Sequence, residues 1–178
     1  MNHRQDTNTK PGLILATPEF KYNNKYREGD PLEIFTDRDG EVIFKKYSPI
    51  GELSGFAGQY AETLYRTCNY PILICDRDAV VAFAGLSKKE CADKKLSSDM
   101  ENVMENRSLY VREKNSKNLF ALDGNEKIIV SCAMPVISEG DIIGIVMSVT
   151  PEEQDSYPGD VETKLIQTAA VFLGKQME

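Results

Sequence analysis

The chain has 178 residues, 41 % hydrophobic and 28 % charged, the balance of a soluble globular protein with room for one large domain or two small ones. No apolar run approaches the ~20 residues that a membrane helix needs, and the polar start Met1–Lys10 does not read as a secretory leader, so a cytoplasmic chain with no membrane partner is expected. The formal net charge is −7; residues 1–49 hold eight Lys/Arg and eight Asp/Glu, so all the excess acid lies in residues 50–178, and any contact with nucleic acid has to come from a local cluster in the first part.

In chain order, Met1–Lys10 has no periodicity. Leu13–Ala16 is a short apolar run after Pro11-Gly12, and Thr17-Pro18 can open a helical turn that Asn23-Asn24 keeps short. Arg27–Pro49 predicts a β-hairpin. Leu32–Thr36 is its first strand, Val42–Lys45 its second, and Asp39-Gly40 supplies residues that tolerate positive φ in the connection, with loops of two, three or four residues all open. Leu32 and Ile34 fall on one face, Glu33 and Phe35 on the other, so both faces carry apolar side chains and each asks for a partner.

Ser48 is a cap and Pro49 a first-turn residue for a linking helix over 49–65, with Ile50, Leu53, Phe56, Ala57, Tyr60, Ala61 and Leu64 at helical spacing. Gly51, Gly55 and Gly58 each weaken it by about 0.5–1 kcal/mol relative to alanine, which points to a helix packed against something: a linker that helps form a dimer seam, with a connecting helix lying on its own domain as the alternative. Pro71–Cys75 and Ala79–Ala84 predict two strands turned by Asp76-Arg77-Asp78 and ended by Gly85. Ser87–Glu90 and Ser98–Glu101 have capping-box form and open two short helices, the second with Met100, Val103 and Met104 inward. Ser108–Arg112 and Asn118–Leu122 read as strands. Lys127–Ile137 and Asp141–Thr150 are the longest, joined at Glu139-Gly140. After a loop over 151–159, Val161, Leu165, Ala169, Phe172 and Leu173 make the stripe of a closing helix. Strands joined by tight turns with helices on the faces give an α+β fold.

The hairpin words GDPLEIF and DGEVIFKKYSP resemble the AbrB family, whose N-terminal domain is a β-hairpin unit that interleaves with a second chain. ICDRD at Ile74–Asp78, SKKE at Ser87–Glu90 and AAVFLGKQME at Ala169–Glu178 extend the similarity to those sporulation regulators of the family whose second domain is a GAF domain. The resemblance implies an AbrB-like swapped-hairpin domain over residues 1–49 and a GAF-like domain over residues 50–178. It further implies a homodimer or homotetramer, promoter DNA as a partner and a forespore setting. An exchange of strands is physically apt, because about fifty residues bury too little surface to be secure alone. The family reads DNA with arginines; laid without gaps, those positions are Asp6, Leu13, Lys21 and Tyr22, and only Lys21 is basic. An aspartate repels phosphate, and leucine or tyrosine cannot grip it with two parallel bonds. Lys21, Lys25, Arg27, Arg4 and Lys10 are the DNA-binding candidates. The alternative reading is a sensor or assembly module without DNA contact.

No P-loop, GxGxxG, GxSxG or HExxH is present, and the one histidine is His3, so an enzyme is not expected. Cys68, Cys75, Cys91 and Cys132 form no CxxC, and neither a metal nor a cofactor is predicted. An unidentified small ligand is the remaining possibility for a GAF-like domain, with Phe83, Ser131 and Met134 and the loop around Leu86–Glu90 as candidate lining.

Overall fold

The computed structural model describes residues 32–36, 42–92, 94–151 and 156–177, and the chain divides into two units, Met1–Tyr47 and Ser48–Glu178. In the first unit, β1 (Leu32–Thr36) pairs antiparallel with β2 (Val42–Lys46) in a register that sets Glu33 opposite Lys45 and Ile34 opposite Phe44. The paired strands match the predicted first strand and extend the second by one residue, to Lys46; the predicted Asp39-Gly40 connection lies outside the described residues. Ile34 is 54 % exposed, so within this chain an apolar residue of β1 is left uncovered.

The second unit follows from Ser48. The predicted single helix over 49–65 is two: α1 (Pro49–Glu52) and α2 (Ser54–Cys68). The Ser48 hydroxyl accepts the Gly51 N–H at 3.0 Å, and at Leu53 the backbone leaves helical geometry (φ −92°, ψ 21°), closing α1 after one turn. This seats Ile50, the buried residue of α1, in the core. Helix α2 buries Ala57, Ala61 and Leu64 as expected, and it ends at Asn69, whose left-handed backbone (φ 58°) suits asparagine.

Strand β3 (Ile72–Cys75) turns into β4 (Val80–Ala84) through Asp76, whose Oδ1 accepts the N–H groups of Asp78 and Ala79, both at 2.8 Å. Gly85 then stops β4 with φ +76°, and a Cβ there would lie 2.5 Å from the Tyr65 ring. Helix α3 (Lys88–Cys91) starts at the predicted Ser87/Glu90 capping box. Helix α4 (Ser98–Glu105) is capped by Ser97, one residue earlier than the spacing predicts: the Ser97 hydroxyl accepts the Met100 N–H and donates to the Phe120 carbonyl, a tertiary bond that fixes the cap. Met100, Val103 and Met104 are buried as expected. Strands β5 (Tyr110–Val111) and β6 (Phe120–Leu122) are shorter than their predicted runs.

The long strands are β7 (Asn125–Ser138) and β8 (Asp141–Pro151). Ser138 pairs with Asp141, and the two residues between, Glu139 (φ 49°) and Gly140 (φ 89°), both take positive φ, the hairpin turn that matches strand twist. Helix α5 (Asp160–Lys175) closes the unit. Its buried face is Glu162, Ile166, Ala169, Ala170, Leu173 and Gly174. The predicted stripe is rotated: Val161 (66 % exposed) and Phe172 (39 %) point outward. Small residues let α5 lie close on the sheet, and a Cβ on Gly174 would be 2.2 Å from the Ile137 carbonyl oxygen.

The sheet order is β4-β3-β8-β7-β5, antiparallel throughout, with β6 also on β7. Alternation along β3 divides the core. Ile72 and Ile74 join Ile50, Ala57, Leu64, Ile166 and Leu173 beneath α1, α2 and α5. Leu73 and Cys75 join Met100, Val103, Met104 and Met147 beneath α4 on the other face.

Candidate functional site

Lys21, Lys25, Arg27, Arg4 and Lys10 lie outside the described residues. The three residues chosen as ligand lining are not brought together. Phe83 on β4 packs on the α4 side of the sheet, whereas Met134 on β7 packs on the α5 side. The loop residues Ser87, Lys88 and Lys89 are exposed, taken up by the α3 cap.

Ser131 does line a hollow. A cleft of 270 Å³ opens where the start of β3, the end of β8 and the approach to α5 meet, walled by Tyr70, Ser131, Thr150, Tyr157 and Glu162. Local structure explains why these residues converge. Between β7 and β8 the register shifts, with Val130 opposite Val149 and Cys132 opposite Ser148, so Ser131 is an extra, unopposed residue. Such a bulge re-aims a side chain. The Arg112 N–H, just past β5, holds the bulge by donating to the Ser131 carbonyl at 2.9 Å.

Six polar or charged side chains are buried among the described residues: Arg112, Ser131, Ser138, Ser148, Thr150 and Glu162. All but Ser138 belong to this corner. Glu162 stands in the first turn of α5, where the helix dipole favours a carboxylate, and its Oε1 accepts from Ser148 Oγ at 2.6 Å. Arg112 donates through Nε to Asn118 Oδ1 and through Nη1 to the Ser156 carbonyl, both at 3.1 Å, with its guanidinium 4.9 Å from the Tyr157 ring centroid. It thereby ties the chain before α5 to the end of β5. Behind the cleft, burial first and the Glu162 charge second push the Cys132 thiol up to about 12, so it stays protonated and unreactive. Hydroxyls and a carboxylate backed by an inert thiol make a set for accepting hydrogen bonds.

The family "Stage V sporulation protein T C-terminal, transcription factor" matches residues 52–178. Stage V sporulation protein T of Bacillus subtilis (strain 168) is 44 % identical over 168 residues, covering 94 % of this chain and 92 % of that protein. The chain belongs to the stage V sporulation protein T family. The family is described as one of transcription factors. Among solved structures, residues 122 to 287 of a methyl-accepting chemotaxis protein superpose with a TM-score of 0.54 at 15 % identity, over 70 % of this chain and 88 % of that one. The GAF domain/HD domain protein from Geobacter sulfurreducens gives 0.54 at 15 %, over 70 % and 91 %. These likenesses show the fold, and the family member's α+β unit is GAF-like. No helix among its described residues is long and apolar enough to cross a membrane.

Sequence reasoning missed Glu162, Arg112, Ser148 and Thr150. A helical stripe with one acid reads as solvent-facing at that position, and nothing in the spacing of residues 112, 131, 148 and 162 signals that they meet.

Proposed function

We propose that the chain is a transcriptional regulator that binds promoter DNA as a dimer, through an AbrB-like swapped hairpin in residues 1–49, with the GAF-like residues 50–178 serving oligomerisation and sensing in the forespore. One observation carries the reading: the 44 % identity to stage V sporulation protein T runs over 168 residues, longer than the second unit, so it reaches into the first. The exposed Ile34 suits a hairpin completed by another chain. A second uncovered patch suits the oligomer. Phe56 and Tyr60 on α2 and Phe172 on α5 cluster with ring centroids 5.4 to 6.2 Å apart, and Phe56 is 37 % exposed. Gly55 and Gly58 on α2 have open space where a Cβ would stand, room for a second helix to approach.

The test is a titration of the full chain against AT-rich promoter DNA over a range of salt. Specific use of a few lysines and arginines gives a log-log salt slope near −0.9 per phosphate neutralised. A slope of zero, or affinity no better than that of an unrelated acidic protein, removes the DNA reading. A second reading, a sensor or assembly module without DNA contact, is favoured by Asp6, Leu13 and Tyr22 at the positions where the resemblance expects arginine. On that reading Asp6→Arg, Leu13→Arg and Tyr22→Arg together create DNA binding, and tight binding by the unaltered chain refutes it.

A further inference from the structure

We propose that the cleft at the entry to α5 binds a small organic cation, a primary alkylammonium, received by Glu162. The inference goes beyond the regulatory reading and stands whether or not the chain holds DNA.

Three observations carry it. Buried polar side chains are the informative exceptions in a protein core, and five of the six among the described residues gather at this corner. Two of them are under-used. Ser131 is 4 % exposed and lines the cleft, yet its hydroxyl has no hydrogen-bond partner among the described residues. Glu162 is 6 % exposed and lines the cleft too; it has no ion pair among the described residues, and one neutral hydroxyl, Ser148, is its side-chain partner. A carboxylate offers about four acceptor positions, so most of its capacity is unused by side chains among the described residues. A buried carboxylate left with one hydroxyl is costly, and a cation relieves that cost.

The sign of the ligand follows. A helix N-terminus would ordinarily draw an anion, but here Asp160 and Glu162 already occupy the first turn of α5. Residues 50–178 carry the whole net charge of −7, which draws cations. An ammonium has three donors to place, and Glu162, Ser131 and Thr150 are three acceptors that line the cleft. Tyr70 adds an aromatic surface at the same mouth, suited to a cation and its alkyl stem. At 270 Å³ the cleft is below the common range of about 300–1,000 Å³ for drug-sized ligands, so the guest is small.

The experiment titrates the full chain with n-butylammonium and, separately, with n-butanol, its uncharged counterpart, following backbone amide resonances by NMR. The expected result is saturable perturbation centred on Ser131, Thr150 and Glu162 by butylammonium, with butanol weaker by about tenfold or more, the discrimination of one charged partner. Glu162→Gln keeps an acceptor for Ser148 and is expected to lower the butylammonium affinity by a similar factor. Equal affinity for the two probes, perturbation elsewhere only, or undiminished binding in Glu162→Gln each overturns the proposal. The two-probe comparison needs no variant, so it decides even if Glu162→Gln fails to fold. Because DNA affinity is read in a separate titration, failure here leaves the regulator reading standing.

Discussion

Gly144 on β8 is the position at which the fold has least room. A Cβ there would sit 2.2 Å from the Cys75 carbonyl oxygen, 2.6 Å from Ile50 Cδ1 and 3.2 Å from the Asp76 Cα. Two of the three atoms are backbone of the neighbouring strand and its turn, held by the β3–β8 ladder and by the Asp76 hydrogen bonds, so they cannot swing aside as a side-chain tip can. Gly144→Ala therefore overpacks, at about 1–3 kcal/mol. Against this stands about 0.4–1 kcal/mol of stabilisation from a less flexible unfolded chain. The clash wins, for a net loss of roughly 1.3 kcal/mol. At ~4 °C per kcal/mol for a unit of this size, Tm falls by about 5 °C. Circular dichroism melts and urea titrations on the two proteins measure it, with the m-value unchanged because the folded surface is the same. A Tm equal to or above that of the parent refutes the packing argument.

The thiols titrate outside their ordinary range: burial and the Glu90 charge push Cys91 up to about 11, burial and the Glu162 charge push Cys132 up to about 12, and burial, then Asp76 and Cys91, raise Cys75. Their neutral state contributes stability that is full below the ordinary thiol value near 9 and is lost as pH climbs to about 12, because the unfolded chain releases its protons first. Urea midpoints are thus expected to fall over that window, and alanine or serine at Cys132 to flatten the fall. Ser148→Ala removes the one hydroxyl on the Glu162 carboxylate and should cost about 1–3 kcal/mol by urea denaturation, whereas Ser148→Thr, which keeps a donor, should cost less; equal losses would show that the bond contributes nothing. Phe56→Ser with Phe172→Ser breaks the aromatic patch on α2 and α5; if that patch is the oligomer seam, light scattering will report a smaller particle while the melting profile of the GAF-like unit keeps its cooperativity.

Strong local chemistry was readable from the residues alone. Glu139-Gly140, Asp76 and the Ser87/Glu90 box each act within four residues, so the turns and cap they specify lie where the spacing places them. Elements decided by distant partners were less so. The helix over 49–65 breaks at Leu53 to seat Ile50, and the α5 stripe rotates by a residue to bring alanines and Gly174 onto β7. Ser97 displaces Ser98 as a cap because it also reaches Phe120. The cleft was the least legible part. It is assembled by a bulge at Ser131 and by side chains fifty positions apart in sequence, and a buried glutamate is indistinguishable in a string of letters from a solvated one.

Strand β8 has two ends with different duties. Gly144 is where Ile50 is seated, at the first turn after the hairpin, and Thr150, six residues on, is a wall of the cleft. An extended strand spans that interval in about 20 Å without a joint, and ladders on both sides keep it straight. One unbroken strand thus joins a wall of the cleft to the seat of Ile50, so the side chain that anchors α1 and the hydroxyl of Thr150 share a single stiff support.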